Sequence, residues 1–336
     1  MTSPARLSST RVDADTGRVT LSHLFHLPDV DCIVVNRDGG EPLFAALRSL
    51  EAQAGIDLSI AVVDNGSRLE ERERLSGEMP EVRLIAFSRN LGFAGAANEG
   101  IARTRAPFVL LLNNDATLAP DYVARLAARL VCDDRLAAVQ GLVLAADGRR
   151  VDTAGLEWNR RGEAIPVFAG AEPKEPPRVA FEVSGVSATA TLYRREALAA
   201  VAPSGEVFAR SFFAYYEDVD LSLRLTRAGY RFACDPTAVA WHEGSRTGRR
   251  MPFRRALWTS RNRWRTLFRN FDVGLLARGL GPLLRADLAH VRHLGWKGPA
   301  LPLVVWPALP WLAWRSRSGV GLLSEWPTAP KGAAAD

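Results

Sequence analysis

Three acidic side chains within four residues, Glu217, Asp218 and Asp220, form a dense group that could move a proton. Asp220 and Arg224 stand four apart on an amphipathic stretch, the spacing of an intrahelical ion pair. Glu217 and Asp218 precede that stretch, where a carboxylate either caps a helix or accepts a proton. A helix N-terminus favours the ionised carboxylate, so a base placed there is weak and acts best on a proton that leaves late. A second group, Asn113-Asn114-Asp115, offers the oxygen ligands a hard cation takes, and Asp115 is its only charge. His242, in Trp241-His242-Glu243-Gly244, is either a structural histidine after a strand or a further ligand. The turn Arg89-Asn90-Leu91-Gly92-Phe93-Ala94-Gly95 leads into a helical stretch, so its backbone N–H groups suit an anion. Gly95 and Gly100 fit close helix–sheet packing equally well.

These groups need elements to hold them. The run 30–36 (VDCIVVN) has the continuous apolar character of a buried strand, and 58–63 (LSIAVV), 82–87 and 108–112 (FVLLL) repeat it. Between and after them, 42–53, 94–105 and 120–131 carry apolar residues at helical spacing. The alternation predicts an α/β fold with βαβ units and a mostly parallel, buried sheet. In such sheets the ligand crevice lies beyond the carboxyl ends of the strands. The first, second and fourth strands all finish in Asn or Asp, at Asn36, Asp64 and Asn113. One such end is usually a turn or a cap, whereas three in series point to a shared cleft. Farther on, 183–192 alternates as one strand, 193–196 opens a helix, and 219–228 is an amphipathic helix closed by Gly229. Residues 230–233 and 237–241 read as two short strands.

The chain has 336 residues, 47% of them hydrophobic, which excludes wholesale disorder, collagen-like repetition and a small disulfide scaffold. Cys32, Cys132 and Cys234 form no CxxC pair, so neither a structural zinc site nor a disulfide framework is expected, and a reducing, cytoplasmic compartment is. The N-terminal residues show no apolar stretch before a small-residue cleavage site, and no secretory signal is expected. Charge is uneven: residues 245–336 hold 16 Lys and Arg against 4 Asp and Glu, together with seven of the nine tryptophans. Arginine with tryptophan suits a membrane interface better than nucleic acid; a solvated basic face over a local core is the plainer alternative. The most apolar run, 299–314, is interrupted by four prolines and falls short of the about 20 residues a spanning helix needs. The expected division is a variable extension over 1–28, one α/β domain over 29–250, and a basic, Trp-rich, helical region over 251–336.

Six segments in order, VVNRDGG (34–40), VVDNGS (62–67), RNLGFAGAANEG (89–100), LLLNNDA (110–116), FFAYYEDVDLSLRLTRAGY (212–230) and WHEGS (241–245), resemble the inverting, GT-A-fold glycosyltransferases of family 2, particularly their bacterial rhamnosyltransferase-like branch. The resemblance covers about residues 30–250 and implies roles residue by residue. Asn36, Asp64, Arg89, Asn90, Gly92, Asn98, Asn113 and Asn114 would contact the nucleotide-sugar, Asp64 by accepting from a pyrimidine N–H or a ribose hydroxyl. Asp115 and His242 would hold Mg²⁺ or Mn²⁺, although Asn113 stands where the family's Asp-x-Asp motif has its first acid. Asp218 would be the general base and Glu217 would orient the acceptor or the site. A single base without a carboxylate nucleophile implies displacement with inversion. Tyr215, Tyr216 and Trp241 would wall the sugar; Arg224 is a phosphate candidate, and Arg227 suits a solvated helix face.

The resulting expectation is a metal-dependent transfer of rhamnose from dTDP-rhamnose to a glycan or polyprenyl-linked acceptor in cell-surface polysaccharide synthesis. A UDP-linked hexose or galactofuranose comes next as donor. The protein would lie on the cytoplasmic face of the plasma membrane through 251–336, with no nucleic-acid partner; a homodimer through that segment stays open. Two other classes compete. A nucleotidyltransferase would carry a Gly- and Arg-rich phosphate loop where this chain has the short, acidic Asn36-Arg37-Asp38-Gly39-Gly40. A non-catalytic nucleotide-sugar-binding scaffold would have no need of Asp115, Asp218 and His242.

Overall fold

The apolar runs of the first half become one side of a large sheet. In the computed structural model, which describes residues 27–159, 161–244, 252–290, 300–316 and 322–327, strands β1 (Val30–Asn36), β2 (Leu58–Asn65), β3 (Arg83–Phe87) and β4 (Phe108–Asn113) alternate with helices α1 (Glu41–Glu51), α2 (Leu69–Glu78) and α3 (Gly92–Ala102). β1 pairs in parallel with β2 and β4, and β2 with β3. Leu43, Phe44, Leu47 and Leu50 of α1 are buried on one face of this sheet, and the small residues of α3 pack on the other. The expected N-terminal extension lies, as far as residue 26, outside the described residues.

The second half is mixed. It runs β5 (Ala116–Leu118), α4 (Tyr122–Cys132), β6 (Leu136–Ala145), β7 (Val151–Thr153), β8 (Leu156–Trp158), β9 (Ala164–Pro166), β10 (Phe181–Val183), β11 (Ala190–Arg194), α5 (Arg195–Ala200), α6 (Glu217–Arg227) and β12 (Arg231–His242). The main sheet has the order β10-β12-β6-β11-β4-β1-β2-β3, in which β11 is antiparallel to both β4 and β6. Residues 183–192, expected as one strand, are two, because 184–189 leaves the sheet and gives backbone N–H groups to α6: Val186 N to Ser222 Oγ (3.3 Å) and Ala188 N to Asp218 Oδ2 (3.2 Å). Residues 230–233 and 237–241 are instead one strand, interrupted by a bulge between Asp235 and Val239. Pro236 lies in that bulge, where its missing N–H breaks no ladder bond.

Several elements carried no expectation, α2 and β6 the longest among them. Helix α2 (LEERERLSGE) buries only Leu75, so it has no apolar stripe to read. Strand β6 (LAAVQGLVLA) is buried along all but its last residue and shows no alternation.

From residue 252 to 316 the described chain is mostly helical, in α7 (Pro252–Asn270), α8 (Val273–Arg278), α9 (Leu280–His290), α10 (Ala300–Val305) and α11 (Leu309–Ser316), and Leu323 bridges to Phe271. Helix α7 packs on α6, joining Leu223 to Ala256, Trp264 and Leu267 in a third apolar cluster. Most of the tail's tryptophans face the protein. Trp264 and Trp306 donate to buried Asp287 Oδ2 at 2.6 and 3.0 Å, Trp326 stacks on Trp158, and Trp258 lies against Phe213. Trp296 lies outside the described residues. Trp314 (76% exposed) and Trp311 stand out, beside exposed Leu303 and Val304. No helix among the described residues is long and apolar enough to cross a membrane.

The α6–α7 junction is charged as well as apolar. Asp220 is fully buried; it makes the intrahelical ion pair its spacing predicts, accepting from Arg224 Nε (2.9 Å), and accepts also from Arg269 Nε (2.8 Å) and Asn270 Nδ2 (2.9 Å). Burial alone would raise its carboxyl, but the two guanidiniums outweigh burial and hold it below the usual aspartate range. Asp220→Ala is therefore expected to cost roughly 3–5 kcal/mol in a urea unfolding series, because it leaves two partly buried guanidiniums and the buried Asn270 amide without their acceptor. The ion pairs' contribution should be complete above the ordinary carboxylate range and disappear only as pH falls through the depressed value of the folded state.

Candidate active site

Strand register gathers the polar ends the sequence singled out. Asn36 stands opposite Asp64 across β1–β2, and Val35 stands opposite Asn113 across β1–β4. Asn36 Oδ1 accepts from Asn114 Nδ2 at 2.8 Å, and Asn36 Nδ2 donates to Glu71 Oε1 at 2.7 Å. Glu71 also accepts from Gly39 N and Gly40 N (2.8 and 3.1 Å), so the turn after β1 wraps around its carboxylate. Asp64 is 1% exposed and pairs with Arg72 Nε at 2.6 Å. Both partners come from α2, for which the sequence carried no expectation.

The glycine-bearing turn is held from β2 and packed against the second half of the chain. Asn65 Nδ2 donates to Asn90 Oδ1 (3.0 Å), Asn65 Oδ1 accepts from Leu91 N (2.6 Å), and Asn90 Oδ1 also takes Gly92 N (2.8 Å). Arg89 is exposed beside them. Gly92 has φ +75°, and a Cβ on it would lie 2.4 Å from Phe213 O. Ala94 N, at the start of α3, donates to that same oxygen at 3.2 Å. At least this part of the helix end, read from sequence as facing an anion, is occupied by the protein's own backbone. Asn98 is 3% exposed, and its amide exchanges hydrogen bonds with Phe208 N and O (2.9 and 2.7 Å). Gly100 is a packing glycine: a Cβ there would meet Ile33 Cγ2 at 2.6 Å.

Asp115 and His242 meet although far apart in sequence. β5 pairs antiparallel with the end of β12, setting Ala116 opposite His242, and Glu243 N donates to Asp115 O at 3.0 Å. His242 Nε2 lies 3.2 Å from Asp115 Oδ1, and Nδ1 lies 2.8 Å from Asp152 Oδ2. Burial lowers the imidazole's affinity for protons, but the two carboxylates outweigh it and push the pKa up to about 9. The donor set fits a divalent cation. Asp152 holds the ring through Nδ1 and turns Nε2 toward the Asp115 carboxylate, the arrangement found behind metal-binding histidines. Adjacent ligands of an octahedral ion at about 2.1 Å each lie about 3 Å apart, close to the separation seen here. Among the described residues no group of three or more His, Cys, Asp or Glu forms a closed cage. The remaining positions would fall to water and substrate phosphate, the usual habit of Mg²⁺. A cavity of about 180 Å³ opens beside the pair, lined by Pro42, Ala45, Thr117 and Trp241. Asp152 had no signal in the sequence; its role appears only once β7 pairs with β6.

The acids at 217–218 join this edge through two consecutive residues. Ala188 N donates to Asp218 Oδ2 (3.2 Å), and Thr189 O accepts from Asn113 N (2.8 Å). Asp218 Oδ1 takes Val219 N at 2.8 Å. Glu217 Oε2 is buried without a hydrogen-bond partner. Burial, and then the charge of Asp218, push the Glu217 carboxyl well above its usual range. Burial raises Asp218 too, against the N–H groups of Ala188 and Val219 that favour its ionised form. The weak base expected at a helix end is thereby corrected, since burial outweighs the helix end. The two environments differ: Glu217 has an oxygen with no donor and is pushed well up, while Asp218 keeps backbone donors that favour its charge. Arg224, a phosphate candidate in the sequence, is spent on Asp220 and on Val201 O and Val207 O. Arg227 is half-buried, near Asn270 Oδ1 (3.4 Å), and does not lie on a solvated face.

The family model "Glycosyl transferase family 2" matches residues 31–201, just over half of the chain. The chain belongs to glycosyltransferase family 2. Its relatives include the succinoglycan biosynthesis protein ExoO of Rhizobium meliloti, 34% identical over 126 residues, 37% of this chain and 36% of that protein. An N-acetylglucosaminyltransferase of Rhizobium meliloti is 29% identical over 274 residues, 78% of this chain and 61% of that one. The N-acetylglucosaminyl-diphospho-decaprenol L-rhamnosyltransferase of Mycobacterium tuberculosis is 27% identical over 240 residues, 65% of this chain and 77% of that one. The chain thus spans between about a third and three-fifths of ExoO and the N-acetylglucosaminyltransferase. The GT-A fold is shared with GalNAc-T7 solved with UDP, GalNAc and Mn²⁺ (TM-score 0.55, 14% identity, covering 74% of this chain and 49% of that one). It is shared also with a mannosyltransferase of Pyrobaculum calidifontis solved with GDP-Man and Mn²⁺ (TM-score 0.54, 17% identity, 86% of this chain and 79% of that one).

A carboxyl raised by folding weakens the fold as pH climbs, because the folded state must keep a proton the unfolded chain releases. Glu217→Gln needs no such proton. Its stability relative to the parent should therefore be higher at pH 8 than at pH 5.5, measured as the difference in thermal midpoint. An equal difference at both pH values would show that Glu217 is ionised in the folded protein.

Proposed function

We propose that the protein is a divalent-metal-dependent, inverting glycosyltransferase that moves a sugar from a nucleoside diphosphate sugar to a hydroxyl of a glycan or polyprenyl-linked acceptor in cell-surface polysaccharide synthesis. The observation that carries this reading is the Ala188–Thr189 bridge. It ties the one ionised acid of the 217–218 pair to Asn113, on the strand that leads to Asp115.

In this reading Asn36, Asp64, Asn113 and Asn114 line the nucleotide side, with Arg89 and Asn90 at its rim. Asp115 and His242 hold the Mg²⁺ or Mn²⁺, which supplies charge neutralisation on the departing diphosphate. Asp218 accepts the proton of the acceptor hydroxyl as that oxygen attacks the anomeric carbon. The bond from the anomeric carbon to the diphosphate oxygen breaks on the opposite face, so configuration inverts and the nucleoside diphosphate leaves. Each Asp218 oxygen takes one backbone N–H, which fixes the carboxylate and leaves a lone pair on each oxygen for the proton. Neutral Glu217 beside it adds no second charge to repel that carboxylate.

The similarity to the Mycobacterium tuberculosis L-rhamnosyltransferase favours a dTDP-rhamnose donor. The exposed Leu303, Val304, Trp311 and Trp314 on α10 and α11, in a strongly basic tail, favour an anionic lipid surface on the cytoplasmic face of the membrane.

A panel of dTDP-, UDP- and GDP-sugars, each with Mg²⁺ or Mn²⁺, tests the donor. dTDP-rhamnose is expected to raise the thermal midpoint and to release nucleotide, with Asp115→Ala removing both effects. Asp218→Asn should keep the donor-induced shift and lose turnover by at least about 100-fold, the lower end of what a general base contributes. A thermal shift without nucleotide release from any donor would instead support a non-catalytic nucleotide-sugar-binding scaffold, and no response from folded protein would remove the donor reading. For the lipid surface, Trp311→Ala with Trp314→Ala should reduce co-flotation with anionic vesicles; unchanged flotation would remove these residues from membrane contact.

A further inference from the structure

The segment that delivers the base has a conformation it would not keep unaided. Phe213, Tyr215 and Tyr216 have φ of 67°, 72° and 70°, left-handed values that residues with a Cβ hold only when their surroundings impose them. Tyr216 immediately precedes α6, so the path of 213–216 determines where Glu217 and Asp218 begin. Two surfaces impose that path. On one, Gly92 and Ala94 N press against Phe213 O.

The other surface is α7, beyond the span matched by the family model. Asn262 is fully buried, and its Nδ2 lies 2.9 Å from Phe212 O, 2.9 Å from Ala214 O and 2.8 Å from Tyr215 O. An amide nitrogen carries two hydrogens, so three carbonyls share them and are drawn to one point. Its Oδ1 accepts from Arg261 Nε (3.0 Å) and Arg265 Nη1 (3.2 Å). The same two arginines donate to Phe212 O (3.0 Å) and Ser211 O (2.5 Å). Extended backbone would separate these carbonyls; the left-handed residues turn them inward toward the Asn262 amide.

We propose that Asn262 is a positioning residue for Asp218, gathering the carbonyls of Phe212, Ala214 and Tyr215 so that α6 starts with Asp218 against the Ala188 amide. The proposal rests on Asp218 as the base, and its test separates the two. Asn262→Asp keeps the volume and loses the N–H donors; Asn262→Ala loses both. In each, hydrogen–deuterium exchange should quicken across 211–218 while the strands keep the parent's protection. This readout requires no substrate.

Turnover with the donor identified in the panel should fall roughly 10- to 100-fold, the cost of a displacement on the order of 1 Å, with the donor KM little changed. The acid limb of the rate profile should move to lower pH as water reaches Asp218. Parent-like exchange across 211–218 in both variants would overturn the proposal, as would a loss of turnover that only tracks the folded fraction with the acid limb unmoved. A fully active Asp218→Asn would overturn the base assignment alone, leaving the exchange result to judge Asn262's grip on the segment.

Discussion

Two backbone groups on neighbouring residues, the N–H of Ala188 and the carbonyl of Thr189, organise this site. The first fixes one oxygen of Asp218; the second accepts from Asn113 at the end of β4. The Thr189 carbonyl continues the antiparallel pairing of β11 with β4, whereas the Ala188 N–H is free for Asp218 because the chain leaves the sheet between β10 and β11. Gly185 makes this approach feasible, since a Cβ there would lie 2.9 Å from Ser222 Cβ. A buried carboxylate needs donors as well as space, and this bulging segment supplies both to α6.

The same economy of buried charge explains the pattern of acids on α6. Asp220 is compensated by two arginines and an asparagine, so it is ionised and structural. Asp218 is compensated only by backbone N–H groups, which favour its charge against burial and leave its oxygens available. Glu217 has an oxygen with no partner at all, so it keeps its proton. Three acids in four residues thus take three states, decided by their partners. The tail contributes two of those partners, Arg269 and Asn270, and through Asn262 also grips the segment ahead of Asp218. Its arginines and tryptophans therefore complete the catalytic domain at least as much as they face outward.

Much of this was legible in sequence. Asn36, Asp64 and Asn113 could be placed on one edge because short apolar runs ending in polar residues have a single reading in a parallel sheet. The proximity of His242 to Asp115 was accessible only through the resemblance, since β12 and β5 pair across the fold. Glu71, Arg72, Asp152 and Asn262 were not legible. Each acts through a contact made by the fold, from a helix without an apolar stripe, a three-residue strand, or a region read by composition alone. Asn98 and Arg224 show the converse: polar residues within a recognised motif that the structure places on backbone carbonyls. The split of 183–192 follows from hydrogen bonds to α6 that residue alternation cannot encode.

The central claim is that burial and backbone donors leave Asp218 ionised, raised and alone as the base beside a protonated Glu217. The pH dependence of kcat/KM for sugar transfer tests this directly. With metal saturating, so that His242 gives up its proton on binding it, the account predicts an acid limb above the ordinary aspartate range of about 3.9, abolished with activity in Asp218→Asn and little moved in Glu217→Gln. An acid limb at the ordinary aspartate value, or one that shifts strongly when Glu217 becomes Gln, would contradict it.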